Sequence, residues 1–428
     1  MHSFDHIPEN LPLDSSEAVN RVNAPIALLD EVLRLLASSD IPTLAELIEK
    51  QRLAMGLSVK AASDMLRMPR SSYERLTTGS LQKLDVATAF KLAHFLEIKA
   101  EEVLQLFAAS SMPPEEFREV EAVKEEAFIR RNFDVAGLRK IGFVESTEYA
   151  HVKARIIEYF GLRSLYEYGT DATAILYNRS KLRIEDKMRQ AWIVSAVKQF
   201  ERINNPNPYD EAGVERLVTQ IRPYTRQEKT GLLTVLRALY QAGVTVITQK
   251  ALPNTAVHGA TFIVHRKPCI VLTDHFQKYP EVWFTLLHEL AHVILDRAML
   301  DACSYHLSDG VGDLLLVESR ADRFAYDLLL PQKKFEYIQT YINIESFVAS
   351  YAAQQGVHPS IIYWRYAKER SRDHQDTTGW KFFGRFIPKP DVFGPDFWAA
   401  PWLKGGTVEQ AATDAQQRLA APLPIRSI

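Results

Sequence analysis

Apolar positions recur along this chain with two different periods, and the change of period divides it. From Thr43 to about Phe107 they fall at i, i+3 and i+4 within short runs separated by Gly56, Pro69 and Gly79. That spacing puts one apolar stripe on each of several short helices and predicts a small all-helical domain, placed at 43–110. Before it, Ala27 to Ala37 carries leucines at helical spacing, so a short docking helix is expected within an N-terminal extension over 1–42. Pro113 and Pro114 then separate the helical domain from Glu115 to Arg131, where ten of seventeen residues are ionised and Phe117, Val120 and Val123 offer the only stripe. So polar a run predicts a solvated helical connector, assigned to 111–149.

From about Ala150 to Ala242 the helical period returns, broken at Asn204-Asn205-Pro206-Asn207-Pro208, a dense turn signal. The period then shortens. Val244 to Thr248 is β-branched, Thr261 to His265 and Cys269 to Thr273 are short apolar runs, and His265-Arg266-Lys267-Pro268 reads as the connection of a hairpin. Helices are expected over 281–296 and from about Leu315 to Leu330, the second stopped by Pro331, and then on to about Arg370. Residues 150–371, with a core at about 244–340, therefore read as an α+β domain. From 372 to 428 six of the 21 prolines and three of the six tryptophans (Trp380, Trp398, Trp402) gather, which predicts an extended tail docked through aromatic anchors.

Composition narrows the function classes. At roughly 150 residues per domain, 428 residues imply two or three domains. With 51 basic and 53 acidic residues the net charge is −2, which excludes the global positive field of a nucleic-acid coat protein. Hydrophobic residues at 46% exclude global disorder. Two cysteines, Cys269 and Cys303, with no CxxC pair, exclude a disulfide scaffold and a thiolate zinc site. No apolar run reaches the ~20 residues of a membrane span, and Met1 to Ser15 has no secretory apolar core, so the expected compartment is a reducing cytoplasm without a membrane partner.

The chemistry concentrates in the helix over 281–296. His288-Glu289-Leu290-Ala291-His292 spells HExxH. Spacing of four on a helix puts both imidazoles on one face, where they can hold one Zn²⁺, with Glu289 beside them to take a proton from water at the metal. Trp283, Leu286, Leu287, Leu290, Val293 and Ile294 make this helix buried, and buried imidazoles and a carboxylate need partners to offset their desolvation. A catalytic zinc takes three protein ligands, so a third is expected downstream. Glu318 opens the next amphipathic helix, and Asp322, one turn later, is placed to hydrogen-bond a ligating histidine.

From His288 to Pro331, HELAHVIL followed by ESRADRFAYDLLLP resembles the ImmA/IrrE family of zinc metallopeptidases, whose second motif approximates E-x-E-A-N-x-F-A-x-x-L-L-x-P. Glu318 matches that family's third zinc ligand. Arg320 stands where the family commonly has Glu, and Asp322 where it has Asn. The strands around Gly259 to Phe262 and Lys267 to Leu272 are similar too, and the resemblance spans about 150 to 340. It implies a zincin-like fold, Zn²⁺ on His288, His292 and Glu318, peptide hydrolysis with Glu289 as the proton shuttle, and a protein substrate such as a repressor or antitoxin. His306, Tyr305 and His258 are oxyanion-helper candidates by proximity in sequence, while His265 and His275 are assigned to loops. A peptide is expected to add as a strand along the edge of the 261–273 hairpin.

In the helical domain, Gly56-Leu57-Ser58 opens a helix to about Arg67, and a tight turn at Met68-Pro69 leads into a second helix beginning Arg70-Ser71-Ser72, with Arg75 one turn on. The first residues of such a second helix reach base edges and phosphates, so Arg70, Ser71, Ser72 and Arg75 are the candidate DNA contacts. Lys50 to Lys83 holds seven basic and two acidic residues, a local charge of +5 inside a chain of net −2. The run over roughly 44–107 resembles the Xre, lambda-repressor-like helix-turn-helix family, with Val59 where that family usually has Gln and with Glu74 facing DNA unfavourably unless it accepts from a cytosine. The resemblance implies a DNA partner and a homodimer.

Two functions fit. One is a zinc endopeptidase fused to a DNA-binding domain, cleaving a repressor, an antitoxin or itself in stress, phage or toxin–antitoxin regulation. The other is an antitoxin-like transcription regulator whose zinc site is structural or sensory; such a site has no use for Glu289.

Overall fold

A computed structural model describes residues 42–111, 114–169, 187–252, 257–275, 278–298, 300, 305–308, 315–394, 397–403 and 405–422. The helix expected over Ala27 to Ala37 lies outside the described residues. The chain divides between Lys124 and Glu125 into two compact units, each with its own apolar core.

The first unit is all-helical: α1 (Leu44–Ala54), α2 (Val59–Met65), α3 (Arg70–Thr77), α4 (Val86–Leu96) and α5 (Ala100–Ser111). Side-chain caps start three of them. Thr43 and Glu46 form a reciprocal capping box on α1, Ser58 accepts from Ala61 N at α2, and Asp85 accepts from Thr88 N at α4. Helices this short are not stable alone, so packing of Leu44, Ile48, Leu66, Tyr73, Leu76, Leu92 and Phe95 holds them. Tyr73 ties α3 to α1 by donating to Glu49 Oε1 at 3.1 Å, and burial pushes its phenol up to about 12.

Helix α6 (Pro114–Asn132) crosses the division between the units. Its first half fits the expected solvated connector, with Val120 and Val123 exposed. The rest of the 111–149 run corrects that expectation: Ile129 of α6 and, beyond the helix, Phe133, Leu138 and Phe143 enter the second core, and buried Glu125 accepts hydrogen bonds from Tyr149 and Lys153. The buried positions here, Glu125, Ile129 and Phe133, are spaced by four, and one of them is a charge, which hides the stripe from a search for apolar residues.

The second unit continues through α7 (Val135–Lys140), α8 (Tyr149–Phe160), α9 (Lys187–Ile203), α10 (Glu211–Gln220), α11 (Gly231–Gln241), β1 (Thr245–Thr248), β2 (Gly259–Val264), β3 (Lys267–Leu272), α12 (Tyr279–Leu295), β4 (Tyr305–Ser308), α13 (Leu315–Leu329), α14 (Gln332–Gln339), α15 (Glu345–Gln355), α16 (Pro359–His374), α17 (Thr378–Phe383) and α18 (Val408–Ala420). The sheet order is β1-β3-β2-β4, with β1 parallel to β3 and the other pairs antiparallel. Every residue of β1 and β2 is buried, which is why these strands read as continuous apolar runs without alternation. Helix α12 packs on β2 and β3, while α9 and α11 pack on β1.

The hairpin connection is shorter than expected. His265 and Arg266 have φ of 51° and 64°, a two-residue type I′ turn, and Lys267 and Pro268 belong to β3. Val264 and Lys267 close the turn, so the next pair, Ile263 and Pro268, is a non-hydrogen-bonded one and the proline nitrogen faces away from β2. On that other side β1 begins its pairing only at Cys269, so the missing N–H costs no ladder bond.

The expectation of an extended tail over 372–428 is also corrected. Trp398 and Trp402 are buried anchors, but the segment is largely helical, and α18 turns Val408, Ala411, Ala412, Ala415 and Leu419 inward and packs against α9 and α11. The prolines bracket α18 without entering it. Ahead of it, Ala399 bridges Gln249 at the end of β1, and Thr248 Oγ1 donates to the Phe397 carbonyl at 2.6 Å.

Candidate metal centre

Helix α12 is apolar on most of its circumference, so it runs through the core and takes its polar residues with it. His288, Glu289 and His292 are 5%, 0% and 0% exposed. Opposite them, α13 approaches over the small buried residues Ala321 and Ala325 and brings Glu318 and Asp322 onto the facing side. His288 Nε2 and His292 Nε2 are 3.2 Å apart, and each lies 3.4 Å from an oxygen of Glu318. Tetrahedral zinc with bonds of about 2.0–2.1 Å sets its ligand atoms about 3.3 Å apart. The two imidazole nitrogens thus stand at the spacing of zinc ligands, each with a different Glu318 oxygen beside it, and the His-His-Glu donor set fits the ion.

The outer nitrogens are held as a zinc site requires. His288 Nδ1 is 2.9 Å from Asp322 Oδ1 and His292 Nδ1 is 2.8 Å from Asp296 Oδ2. A carboxylate at Nδ1 keeps the proton there and leaves the Nε2 lone pair facing inward. Two inward lone pairs at 3.2 Å repel unless a cation or a proton sits between them. Burial pushes the His288 imidazole down, but hydrogen bonds to Asp322 and Glu318 and the charges of Glu289 and Glu318 outweigh it and raise its pKa to about 10. In the metal-free protein, a proton supplies the missing positive charge.

Glu289 points from α12 toward β2. Its Oε2 accepts from Thr261 Oγ1 at 2.7 Å, whereas Oε1 is buried without a hydrogen-bond donor among the described residues. Gly259 makes room for it, since a Cβ there would lie 2.4 Å from Oε1. Strand β4 sets Tyr305 opposite Phe262 and His306 opposite Thr261, and His258 directly precedes Gly259. The His258 ring meets that of His275 at 5.1 Å, and burial, then the charge of His275, holds its imidazole below the usual range. His265 and His275 lie in turns, as expected. The hairpin edge proposed for a peptide is not free. Strand β1 takes the outer side of β3 and β4 takes that of β2, so among the described residues the open edge on the Glu289 side is that of β4.

Sequence reasoning missed three partners. Asp296 lies four residues beyond His292, a helical spacing that extends the motif by one more turn. Arg320 pairs with the second oxygen of Asp296, which gives a role to the residue that departs from the family pattern. Thr261 orients Glu289 from a strand 28 residues away, and no local signal marks it.

In the first unit, Arg70, Ser71 and Arg75 lie on the exposed face of α3, and Ser72 turns half-buried to its side. Arg70 Nε is 2.8 Å from Glu74 Oε1, so Glu74 is neutralised by its neighbour one turn back. Val59 packs against the core, leaving no side chain for DNA where the family has Gln.

Residues 241–354 match the model of the IrrE N-terminal-like domain, of the peptidase M78 family, and residues 48–103 match that of a helix-turn-helix domain. The chain joins an IrrE N-terminal-like peptidase domain to an Xre-type helix-turn-helix domain. No curated protein and no solved structure gives a significant match. The IrrE N-terminal-like match covers β1 to all but the last residue of α15, including every side chain of the His-His-Glu cluster, whereas α16 to α18 lie outside it. The helix-turn-helix domain implies DNA as a partner, and the peptidase domain implies a protein substrate. Among the described residues no helix is long and apolar enough to cross a membrane.

Proposed function

We propose that the chain is a zinc-dependent endopeptidase that binds DNA through Arg70, Ser71, Ser72 and Arg75 and cleaves a repressor or antitoxin protein, or itself, in stress, phage or toxin–antitoxin regulation. The observation that carries the reading is Glu289: a buried carboxylate with one oxygen oriented by Thr261 and the other without a partner among the described residues, beside ligand atoms of His288, His292 and Glu318 that lie within 4.8 Å of one another. Leaving a buried acceptor unpaired costs about 1–3 kcal/mol, and a purely structural or sensory metal site gains nothing from it.

His288, His292 and Glu318 would hold the ion, with Asp322 and Asp296 fixing the imidazoles. When bound, zinc lowers the pKa of water and polarises a peptide carbonyl. Glu289 Oε1 takes the proton from the attacking water and delivers it to the leaving amine, while Thr261 holds the other oxygen so that the carboxylate does not rotate. The substrate lies as an added strand on the open edge of β4, where main-chain hydrogen bonds bind any sequence and side-chain pockets select among them.

The test compares zinc-loaded wild type with Glu289→Gln on the repressor or antitoxin encoded beside this chain and on the chain itself. Equal zinc content with cleavage reduced at least ~100-fold is expected. Cleavage that is equal in both, or absent from both, returns the protein to the antitoxin-like regulator.

A further inference from the structure

Helix α16, beyond the residues matched to the IrrE N-terminal-like domain, brings a cation to the end of the metal centre. Lys368 Nζ lies 4.2 Å from the ring centre of Phe284, 4.7 Å from that of Trp364 and 6.0 Å from that of Tyr326. Phe284 stands one turn before His288 on α12, their rings 6.0 Å apart, and Tyr326 stands one turn after Asp322 on α13. The ammonium is therefore one helical turn along from the His288–Asp322 pair. On the other side, His258 next to Gly259 is close enough to feel the charges of both Lys368 and Glu289, in opposite senses.

Among the ring-stacked cations that are not exposed, this one is set apart by what it does not touch. Arg155, Lys278, Arg365 and Arg370 also stack on rings, and each has an oxygen partner as well: the Gly406 carbonyl, Glu281, Glu369 and Asp376. Lys368 has none among the described residues; its contacts are the three aromatic faces. Those faces attract the charge but leave three N–H donors without an acceptor. Burial pushes the ammonium below its usual pKa and Arg372 adds to this, while the nearby Asp322 and Glu281 carboxylates oppose both. A desolvated ammonium with unused donors is matched by a carboxylate, whose charge-assisted hydrogen bonds are short and strong.

We propose that Lys368 is a specificity-determining residue that receives a carboxylate of the peptide lying across the metal centre, either an acidic side chain or a free C-terminus. The proposal rests on the endopeptidase reading for the presence of that peptide. Four octapeptides separate the sources: one central Glu or its Gln counterpart in an alanine background, each with a free or an amidated C-terminus. Their binding to the zinc-loaded full chain carrying Glu289→Gln, which does not turn over, is read by calorimetry.

A Glu peptide binding at least tenfold tighter than its Gln counterpart assigns the side chain, and the same preference for acid over amide assigns the terminus. Either preference should vanish in Lys368→Met, which keeps the stem over the rings, and return in part in Lys368→Arg. No preference in the chain with Lys368 intact overturns the proposal without recourse to any variant of that residue, as does a preference that survives Lys368→Met. A preference in a chain whose unaltered Glu289 cleaves nothing leaves Lys368 as a carboxylate site and removes the peptidase reading; cleavage indifferent to carboxylates does the reverse.

Discussion

His288 and His292 offer the same atom to the same site from opposite conditions. The side chains of His292 and its partner Asp296 are 0% and 3% exposed, whereas those of His288 and Asp322 are 7% and 41% exposed. Asp296 is further tied to Arg320, while Asp322 opens to solvent beside Glu318. One histidine is thus paired wholly within the core and the other to a carboxylate that solvent reaches, where water can replace a lost partner. Identical ligation need not mean identical dependence on the protein.

The largest effect should come from breaking the sealed side. Asp296→Ala leaves the buried Nδ1 donor of His292 unpaired, and it is expected to weaken zinc binding about 100-fold and to destabilise the zinc-free chain by about 1–3 kcal/mol. Asp322→Ala should cost about tenfold in zinc affinity and leave the thermal midpoint unchanged, because water can take the place of the exposed Asp322 carboxylate. Competition with a chromophoric chelator and thermal melts measure both, and a reversal of the order would end the contrast. Gly259→Ala comes next. A Cβ 2.4 Å from Glu289 Oε1 must turn the carboxylate, so kcat should fall about tenfold or more at unchanged zinc content.

The smallest effect is a single proton. With the His288 pKa raised to about 10, the metal-free site is protonated at pH 8 and must release that proton when zinc takes Nε2. The heat of zinc binding at pH 8 should therefore vary with buffer ionisation enthalpy by about one proton, and the dependence should disappear above about pH 10. Asp322→Asn, which removes a group that raises this pKa, should shift the disappearance to lower pH.

How far these features were legible depends on how far apart their parts lie. The HExxH pair, Glu318 and Asp322 sit on two helices whose periods reveal their faces, and the helical domain with its caps was readable for the same reason. Asp296 was readable too, at i+4 from His292, but lies beyond the usual reach of the motif. Thr261, Gly259 and Lys368 were not, because their roles arise from packing between elements with no shared period. The helix at 408–420 shows a clear amphipathic stripe that the flanking prolines obscured, and the His265–Arg266 turn lacks the Asn-Gly pair that normally announces φ > 0 at both positions.

The closing of β1 by a late segment has a consequence in time. Thr248 is held by the Phe397 carbonyl 149 residues further on, and α18 covers α9 and α11 later still. At about 5–20 residues per second a ribosome takes roughly 7–30 s to supply that stretch, and until then the β1 flank of the sheet stays uncovered. Residues 288 to 322 emerge before that segment. A nascent chain thus carries the metal ligands well before the segment that closes β1 has been made.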